Sequence, residues 1–298
     1  MSNTTVNSSV PMKKYKKRSQ LGEIWHRFRK NKGALLGGLI ILVLIVLALL
    51  SDVIYDYETD IIGQNISQRF IKPCWEHPFG TDNFGRDLLA RVIYGARSSL
   101  PVGFVAVLVS LFLGIVLGAL AGFFGGKIEN FIMRFMDIFA AVPNILMAIA
   151  LVALMGTSTF SLMVALGVAS MPAFCRITRA SVLSIRNQEF VEAAKAIGCT
   201  NAEIIFQHVI PNCLSPIIVQ ASLRMGSAII AASALSYLGL GVPAPMPEWG
   251  SLLSAGRDYI RDYSYLTIFP GLAIMVTVVA FNMLGDGLRD AMDPKLKK

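Results

Sequence analysis

The chain has 298 residues, of which 54% are apolar and only 15% are charged. An average soluble domain carries about 25% charged residues, so this chain has too little polar surface to cover its apolar volume. The same composition excludes a largely disordered protein. In a soluble protein a net charge of +8 would suggest binding to nucleic acid. In a membrane protein the location of the positive charges instead indicates which loops are cytoplasmic. We therefore expect no nucleic-acid partner.

Six segments approach the length of about 20 mostly apolar residues that a transmembrane helix needs. The sequence therefore predicts an all-α polytopic membrane protein with six transmembrane helices. The apolar segments are 33–50, 101–124, 138–155, 160–175, 214–240 and 266–288. The chain divides into an N-terminal tail (1–32), a first transmembrane helix (33–53), an extracytoplasmic loop (54–99), a core of helices 2–6 (100–290) and a C-terminal tail (291–298).

The N-terminal tail ends in an amphipathic pattern. Leu21, Ile24, Trp25 and Phe28 are spaced i, i+3, i+4 and i+7, which predicts a helix lying on the membrane surface. For residues 13–18, a solvated basic tail explains the charges equally well. Nineteen of the 27 Lys and Arg residues fall on the side of this tail and seven on the other, so we expect both termini in the cytoplasm.

The segment Arg186–Asn212, between the fourth and fifth spans, contains two short helical patterns. Good helix formers occupy 188–197, and Gly198 is placed to end that helix. Asn201 is a plausible N-cap for a second helix. Pro211 should break that helix before the fifth span. The sequence predicts a helix–turn–helix knob, which we call the coupling loop.

The coupling loop resembles the EAA loop of permease subunits in binding-protein-dependent ABC importers, whose pattern is E-A-A-x3-G-x9-I-x-L-P. The matching positions are Glu192, Ala193, Ala194, Gly198 and Pro211. The chain departs from the pattern at His208 and Ile210, where the family usually has Ile and Leu. Segments 80–100 and 125–143, the last outer loop and the last span resemble the C-type subunit of dipeptide, oligopeptide and nickel permeases.

In that family the loop is a coupling helix that inserts into a groove of the cytoplasmic ATPase. The resemblance implies that Glu192 pairs with a basic residue there. The implied ATPase-coupling residues are Glu192, Ala193, Ala194, Gly198, Cys199, Thr200, Asn201, Ala202 and Pro211.

The resemblance also implies a type I ABC importer in a bacterial or archaeal cytoplasmic membrane. The chain would form a heterodimer with a B-type permease and work with two cytoplasmic ATP-binding subunits and an extracytoplasmic solute-binding protein. The implied cargo is dipeptides or oligopeptides. Import of nickel or another small solute by the same architecture is the alternative.

ATP and Mg are expected on the partner ATPases, with no cofactor bound by this chain. A P-loop requires G-x-x-x-x-G-K-[ST], and the single Gly-Lys pair, Gly126-Lys127, does not fit that pattern. An intramembrane enzyme is a remote alternative, because the intramembrane serines lack a nearby His or Lys in sequence. We expect no catalytic residue and no metal site, since the three histidines are scattered along the chain.

Arg224 lies within the fifth span. A charge at that depth costs at least about 2.5–3.5 kcal/mol, so its side chain should face protein or water. Gln220 and Ser227 lie on the same helix face, which predicts a polar substrate pathway. A structural pair with a carboxylate, possibly on the partner permease, is an equal alternative for Arg224.

Glu248 and Trp249 follow a cluster of prolines in the second outer loop. They are expected to be external. There they would either contact the solute-binding protein or close the outer end of the pathway.

Overall fold

The structure is a computed structural model that describes residues 20–292. The tail residues 1–19 and 293–298, including the basic segment 13–18, lie outside the described residues. The described chain is built almost wholly of helices. Its principal helices are α1 (Gln20–Phe28), α2 (Lys32–Ile54), α3 (Leu88–Phe124), α4 (Gly126–Ala141), α5 (Asn144–Met155), α6 (Thr159–Ile185), α7 (Glu189–Ala196), α8 (Asn201–Tyr237), α9 (Trp249–Gly256) and α10 (Tyr265–Met292).

Five of the described helices, α2, α3, α6, α8 and α10, are long and apolar enough to cross a membrane. The third predicted span is not one straight helix, because α4 and α5 meet at an angle of 93°. Val142 between them has an extended backbone. The cause is Pro143, which lacks a backbone N–H and disfavours helical geometry in the residue before it. Counted as one broken span, the pair completes the predicted six.

The amphipathic pattern of the N-terminal tail forms the helix α1, and its position on the membrane surface stays a prediction. Within it, Arg27 pairs with Glu23 at 3.6 Å, and the rings of Trp25 and Phe28 stack with their centroids 5.9 Å apart. Trp25 is exposed. Asn31 then caps α2, since its side-chain oxygen accepts a hydrogen bond from the backbone N–H of Ala34 at 3.1 Å.

Helices α3 and α6 form the central pair of the bundle and pack through glycines. Gly114, Gly118 and Gly122 follow one another at intervals of four residues along α3. A Cβ atom added to any of them would lie only 2.4–2.8 Å from an atom of α6. Gly167 on α6 faces α3 in the same way, with 2.6 Å to Val109. The absence of side chains along this glycine seam lets the two helices approach closely.

The first outer loop is ordered around a buried carboxylate. Asp82 Oδ2 accepts hydrogen bonds from Arg86 Nε at 2.8 Å and from Arg91 Nη1 at 2.7 Å. Its Oδ1 accepts from the backbone N–H of Phe84 at 2.8 Å. Helix α3 has 37 residues and a length of about 55 Å, so it exceeds a hydrocarbon core of about 30 Å and extends into this loop.

The glycine seam predicts a large difference between two conservative substitutions. Gly118→Ala places a methyl group 2.5 Å from the carbonyl oxygen of Cys175, and we expect it to destabilise the protein by about 1–3 kcal/mol. Gly271→Ala in α10 meets no atom closer than 3.9 Å and should be neutral or stabilising. Thermal melting of the purified variants in detergent measures both. Equal melting temperatures would contradict the close approach of α3 and α6.

Candidate functional site

The first half of the coupling loop is helix α7, which ends in a glycine turn. The N–H of Gly198 donates to the carbonyl of Lys195, and the N–H of Cys199 donates to the carbonyl of Ala194, each at 3.1 Å. Gly198 has φ of +89°. These two bonds and the left-handed glycine form a Schellman motif. The predicted helix end at Gly198 is confirmed.

The second half of the loop begins at Thr200, so the N-cap predicted at Asn201 is wrong by one residue. Thr200 Oγ1 accepts from the backbone N–H of Glu203 at 3.3 Å, and Glu203 Oε2 accepts from the backbone N–H of Thr200 at 2.7 Å. This reciprocal pair is a capping box. The T-x-x-E pattern of Thr200 and Glu203 is visible in the sequence. With Thr200 as the N-cap, Asn201 is the first helical residue.

Pro211 does not break the second helix, contrary to the sequence prediction. The chain forms a π-helical turn over Ile204–Val209 and continues as α8 to Tyr237. The wider turn makes room for the proline ring, which would otherwise meet the carbonyl four residues earlier. The side-chain amide of Asn212 donates to the carbonyl of His208 at 2.6 Å. The second half of the coupling loop and the fifth span are therefore one helix.

The coupling loop is fixed to the bundle on one side and exposed on the other. Val191, Ala194 and Ile204 are buried in a cluster with Ala119 of α3 and Val182 of α6. The predicted coupling residues that are exposed are Glu192, Ala193, Gly198, Thr200, Asn201, Ala202 and Pro211, whereas Cys199 is partly buried.

Two large apolar side chains of the coupling loop face outward, and the sequence analysis did not single them out. Ile197 is 80% exposed and Phe206 is 63% exposed. Together with Glu192 they give the loop a surface that combines apolar side chains with an acid. Such a surface is suited to a protein partner that supplies an apolar groove and a cation.

The polar stripe predicted on the fifth span is divided between two cavities. Arg224 and Ser227 line a cavity of about 70 Å³ enclosed by α3, α5, α6 and α8. Gln220 lines a separate open cleft of about 790 Å³ bounded by α1, α6, α8 and α10. The smaller cavity also receives Ser110 and Asn144, from helices whose contact with α8 the sequence could not reveal. We call it the central cavity.

Glu248 and Trp249 are each only 1% exposed, so a docking protein has no access to these side chains in this structure. Glu248 caps α9, because its Oε2 accepts from the backbone N–H of Ser251 at 3.0 Å. Its Oε1 accepts from Ser99 Oγ at 3.2 Å. The indole Nε1 of Trp249 donates to the carbonyl of Val92 at 2.8 Å. The two residues fasten the second outer loop to α3.

Comparison with known proteins gives consistent matches along the chain. Residues 114–298 match the family described as binding-protein-dependent transport system inner membrane component. Residues 19–73 match the N-terminal TM domain of oligopeptide transport permease C.

Three similar proteins illustrate the relationship. The dipeptide transport system permease protein DppC of Alkalihalophilus pseudofirmus is 46% identical, over 98% of this chain and 95% of that protein. The di/tripeptide transport system permease protein DppC of Pseudomonas aeruginosa is 44% identical, over 94% of this chain and 93% of that protein. The glutathione transport system permease protein GsiD of Pectobacterium atrosepticum is 42% identical, over 92% of this chain and 91% of that protein.

Solved structures share the fold at low sequence identity. A structure of the inward-facing MetNI methionine ABC transporter aligns with a TM-score of 0.56 at 18% identity, over 68% of this chain and 96% of that chain. An amino acid ABC transporter with histidines aligns with a TM-score of 0.52 at 16% identity, over 67% of this chain and 94% of that chain.

The buried cap predicts that Glu248 matters for stability. Glu248→Ala removes the acceptor of Ser251 N–H and Ser99 Oγ, and we expect a loss of about 1–3 kcal/mol. Glu58→Ala, at an exposed acid of the first outer loop, should stay within about 0.5 kcal/mol of the parent protein. Thermal melting in detergent compares them. A Glu248 variant as stable as the Glu58 variant would refute the structural role.

Proposed function

This chain belongs to the family of binding-protein-dependent transport system inner membrane components, and on that premise we propose that it passes dipeptides or oligopeptides across the membrane within an ATP-driven importer. The similar proteins named above transport dipeptides, di/tripeptides or glutathione, according to their names. These names favour peptides over nickel as the cargo. The solute-binding protein would deliver the peptide from outside the cell.

The observation that carries the proposal is the coupling loop, anchored by buried residues and continuous with the fifth span. Asn201, beside the exposed surface, and Arg224, at the central cavity, lie on the same helix. They are 23 residues apart in sequence, which corresponds to about 35 Å along a helix. A force on the loop would therefore reach the wall of the central cavity along one continuous helix.

In the proposed mechanism, two cytoplasmic ATP-binding subunits hold ATP and Mg and receive the coupling loops of this chain and of a B-type permease. Closure of the ATPases on ATP moves the loops and opens the pathway to the outside, and hydrolysis resets it. Glu192 pairs with a basic residue of the ATPase, and the apolar side chains of Ile197 and Phe206 enter its groove. The chain thus acts as a two-state element that links distant sites.

The proposed orientation can be tested with the natural cysteines. Cys74 is exposed in the first outer loop, and Cys199 is partly buried in the coupling loop. If both termini are cytoplasmic, a membrane-impermeant maleimide labels Cys74 in spheroplasts, and Cys199 reacts only after the membrane is opened. The Cys74→Ser variant is the control and should stay unlabelled in intact spheroplasts. Labelling of that variant at Cys199 in intact spheroplasts would show that the coupling loop lies outside the cell and that the predicted orientation is wrong.

The role of the coupling loop can be tested against a matched turn at the other end of α8. Gly198 and Gly239 have φ of +89° and +79°, and a Cβ atom at either one meets no atom within 4 Å. Valine at either position therefore introduces a similar backbone strain of about 1–3 kcal/mol. We expect Gly198→Val to lower peptide-stimulated ATPase activity by about fivefold or more, as is typical of a lost coupling.

The Gly239→Val variant should retain that activity, because its turn lies away from the coupling loop. The measurement is ATP hydrolysis by the reconstituted transporter with and without loaded binding protein. Equal losses in the two variants would mean that strain alone, and not the coupling loop, explains the effect.

A further inference from the structure

The central cavity collects polar side chains from four helices, α3, α5, α6 and α8. Its polar lining residues are Ser110 of α3, Asn144 of α5, Ser170 of α6, and Arg224 and Ser227 of α8, and no acidic residue of the described chain lines it. We propose that this cavity binds the carboxylate group of a peptide during its passage through the permease. The inference rests on the proposed peptide transport function and assigns one part of the substrate to named residues.

Arg224 supplies the positive charge. It lies within the predicted fifth span, 13 residues before the end of α8 at Tyr237 and about 20 Å from it along the helix. Within residues 20–292 its guanidinium group has no hydrogen bond or ion pair. A cation inside a transmembrane span is costly unless it meets water or an anion, and among residues 20–292 no carboxylate lines this cavity.

The N-terminus of α5 supplies a second source of positive potential. This helix has 12 residues and begins after Pro143 with no side-chain cap, so the backbone N–H groups of its first turn lack intrahelical partners. Asn144 and Ile145 of that turn line the central cavity. Broken membrane helices commonly direct such N-termini at anionic groups of a substrate, because the helix dipole is positive there.

Ser110 adds to the cavity lining a buried hydroxyl that has no partner among the described residues. Its side chain is 0% exposed, it lines the cavity, and its Oγ has no hydrogen-bond partner among the described residues. A buried hydroxyl without a partner costs about 1–3 kcal/mol. The cavity of about 70 Å³ exceeds the 10–15 Å³ that one water needs, so it has room for a small polar group, although a ligand would reach the Ser110 hydroxyl only after a small shift of the neighbouring side chains.

The cavity opens toward a surface on which Asn144 and Ser227 are exposed. Polar side chains at this depth avoid hydrocarbon, so this surface faces water or a second permease chain, as a transport pathway requires. A terminal carboxylate is common to peptides of every sequence. A site that binds the terminal carboxylate, and not the peptide's side chains, would allow transport of peptides with many different sequences.

The experiment uses the complete transporter in proteoliposomes, with one solute-binding protein throughout. Uptake of radiolabelled alanyl-alanine is compared with uptake of its C-terminal amide, which lacks the carboxylate. Because the binding protein is unchanged, its own selectivity cancels when the ratio of the two rates is compared between permease variants. We expect Arg224→Gln to lower the ratio of acid to amide uptake by about tenfold or more, as for a lost hydrogen bond to a charged group, and Arg224→Lys to restore part of it.

Ser110→Ala provides a second test that does not risk the fold. Removing an unpartnered hydroxyl should leave the melting temperature unchanged or higher, yet lower the acid-to-amide ratio. Ser98→Ala is the matched control, because Ser98 is also buried and unpartnered on α3 but lies outside the cavity. It should leave the ratio unchanged.

Three results would overturn the inference in different ways. A parent transporter that imports neither compound refutes the proposed peptide function itself. A parent that imports alanyl-alanine while Arg224→Gln and Ser110→Ala keep its acid-to-amide ratio refutes only the carboxylate site. In the third result, the Arg224→Gln variant fails to assemble and the Ser110→Ala variant keeps the parent's acid-to-amide ratio. Arg224 would then have a structural role, in an ion pair with the partner permease.

Discussion

The close approach of α3 and α6 is the constraint on which the rest of the structure depends. Three glycines of α3 and Gly167 of α6 contribute no side chain of their own, so residues of the facing helix pack directly against their backbone. Along this seam the pair supplies Ser110 and Ser170 to the central cavity, and it supplies Ala119 and Val182 to the base of the coupling loop. The cavity and the loop are therefore held by the same rigid pair.

Helix α8 connects these two regions on the other side. A break at Pro211 would have separated the coupling loop from the membrane span, but the π-helical turn keeps the helix continuous. Closely packed helices respond to a displacement by moving as units, since packed interiors are not continuously deformable. A loop fixed by a Schellman motif and a capping box is correspondingly suited to transmit motion.

Two acidic residues show why local sequence does not assign a role. Glu192 is exposed because its neighbours Val191 and Ala194 occupy the buried face of α7, as the helical period requires. Glu248 follows a proline-rich loop without periodicity, and it is buried because the start of α9 and Ser99 of α3 both donate to it. Ser99 is 149 residues away in sequence, so no pattern near Glu248 reveals the contact.

The sequence by itself determined the class of the protein, its spans and the place of the coupling loop, because apolar length, helical period and turn glycines are local properties. The capping box is also a local property, since Thr200 and Glu203 form a T-x-x-E pattern one residue before the predicted N-cap at Asn201. Only the tertiary structure decided that the polar stripe of Gln220, Arg224 and Ser227 divides between two cavities, and that Ser110 shares one of them. Such assignments depend on which helices pack together, and packing joins residues that are distant in the chain.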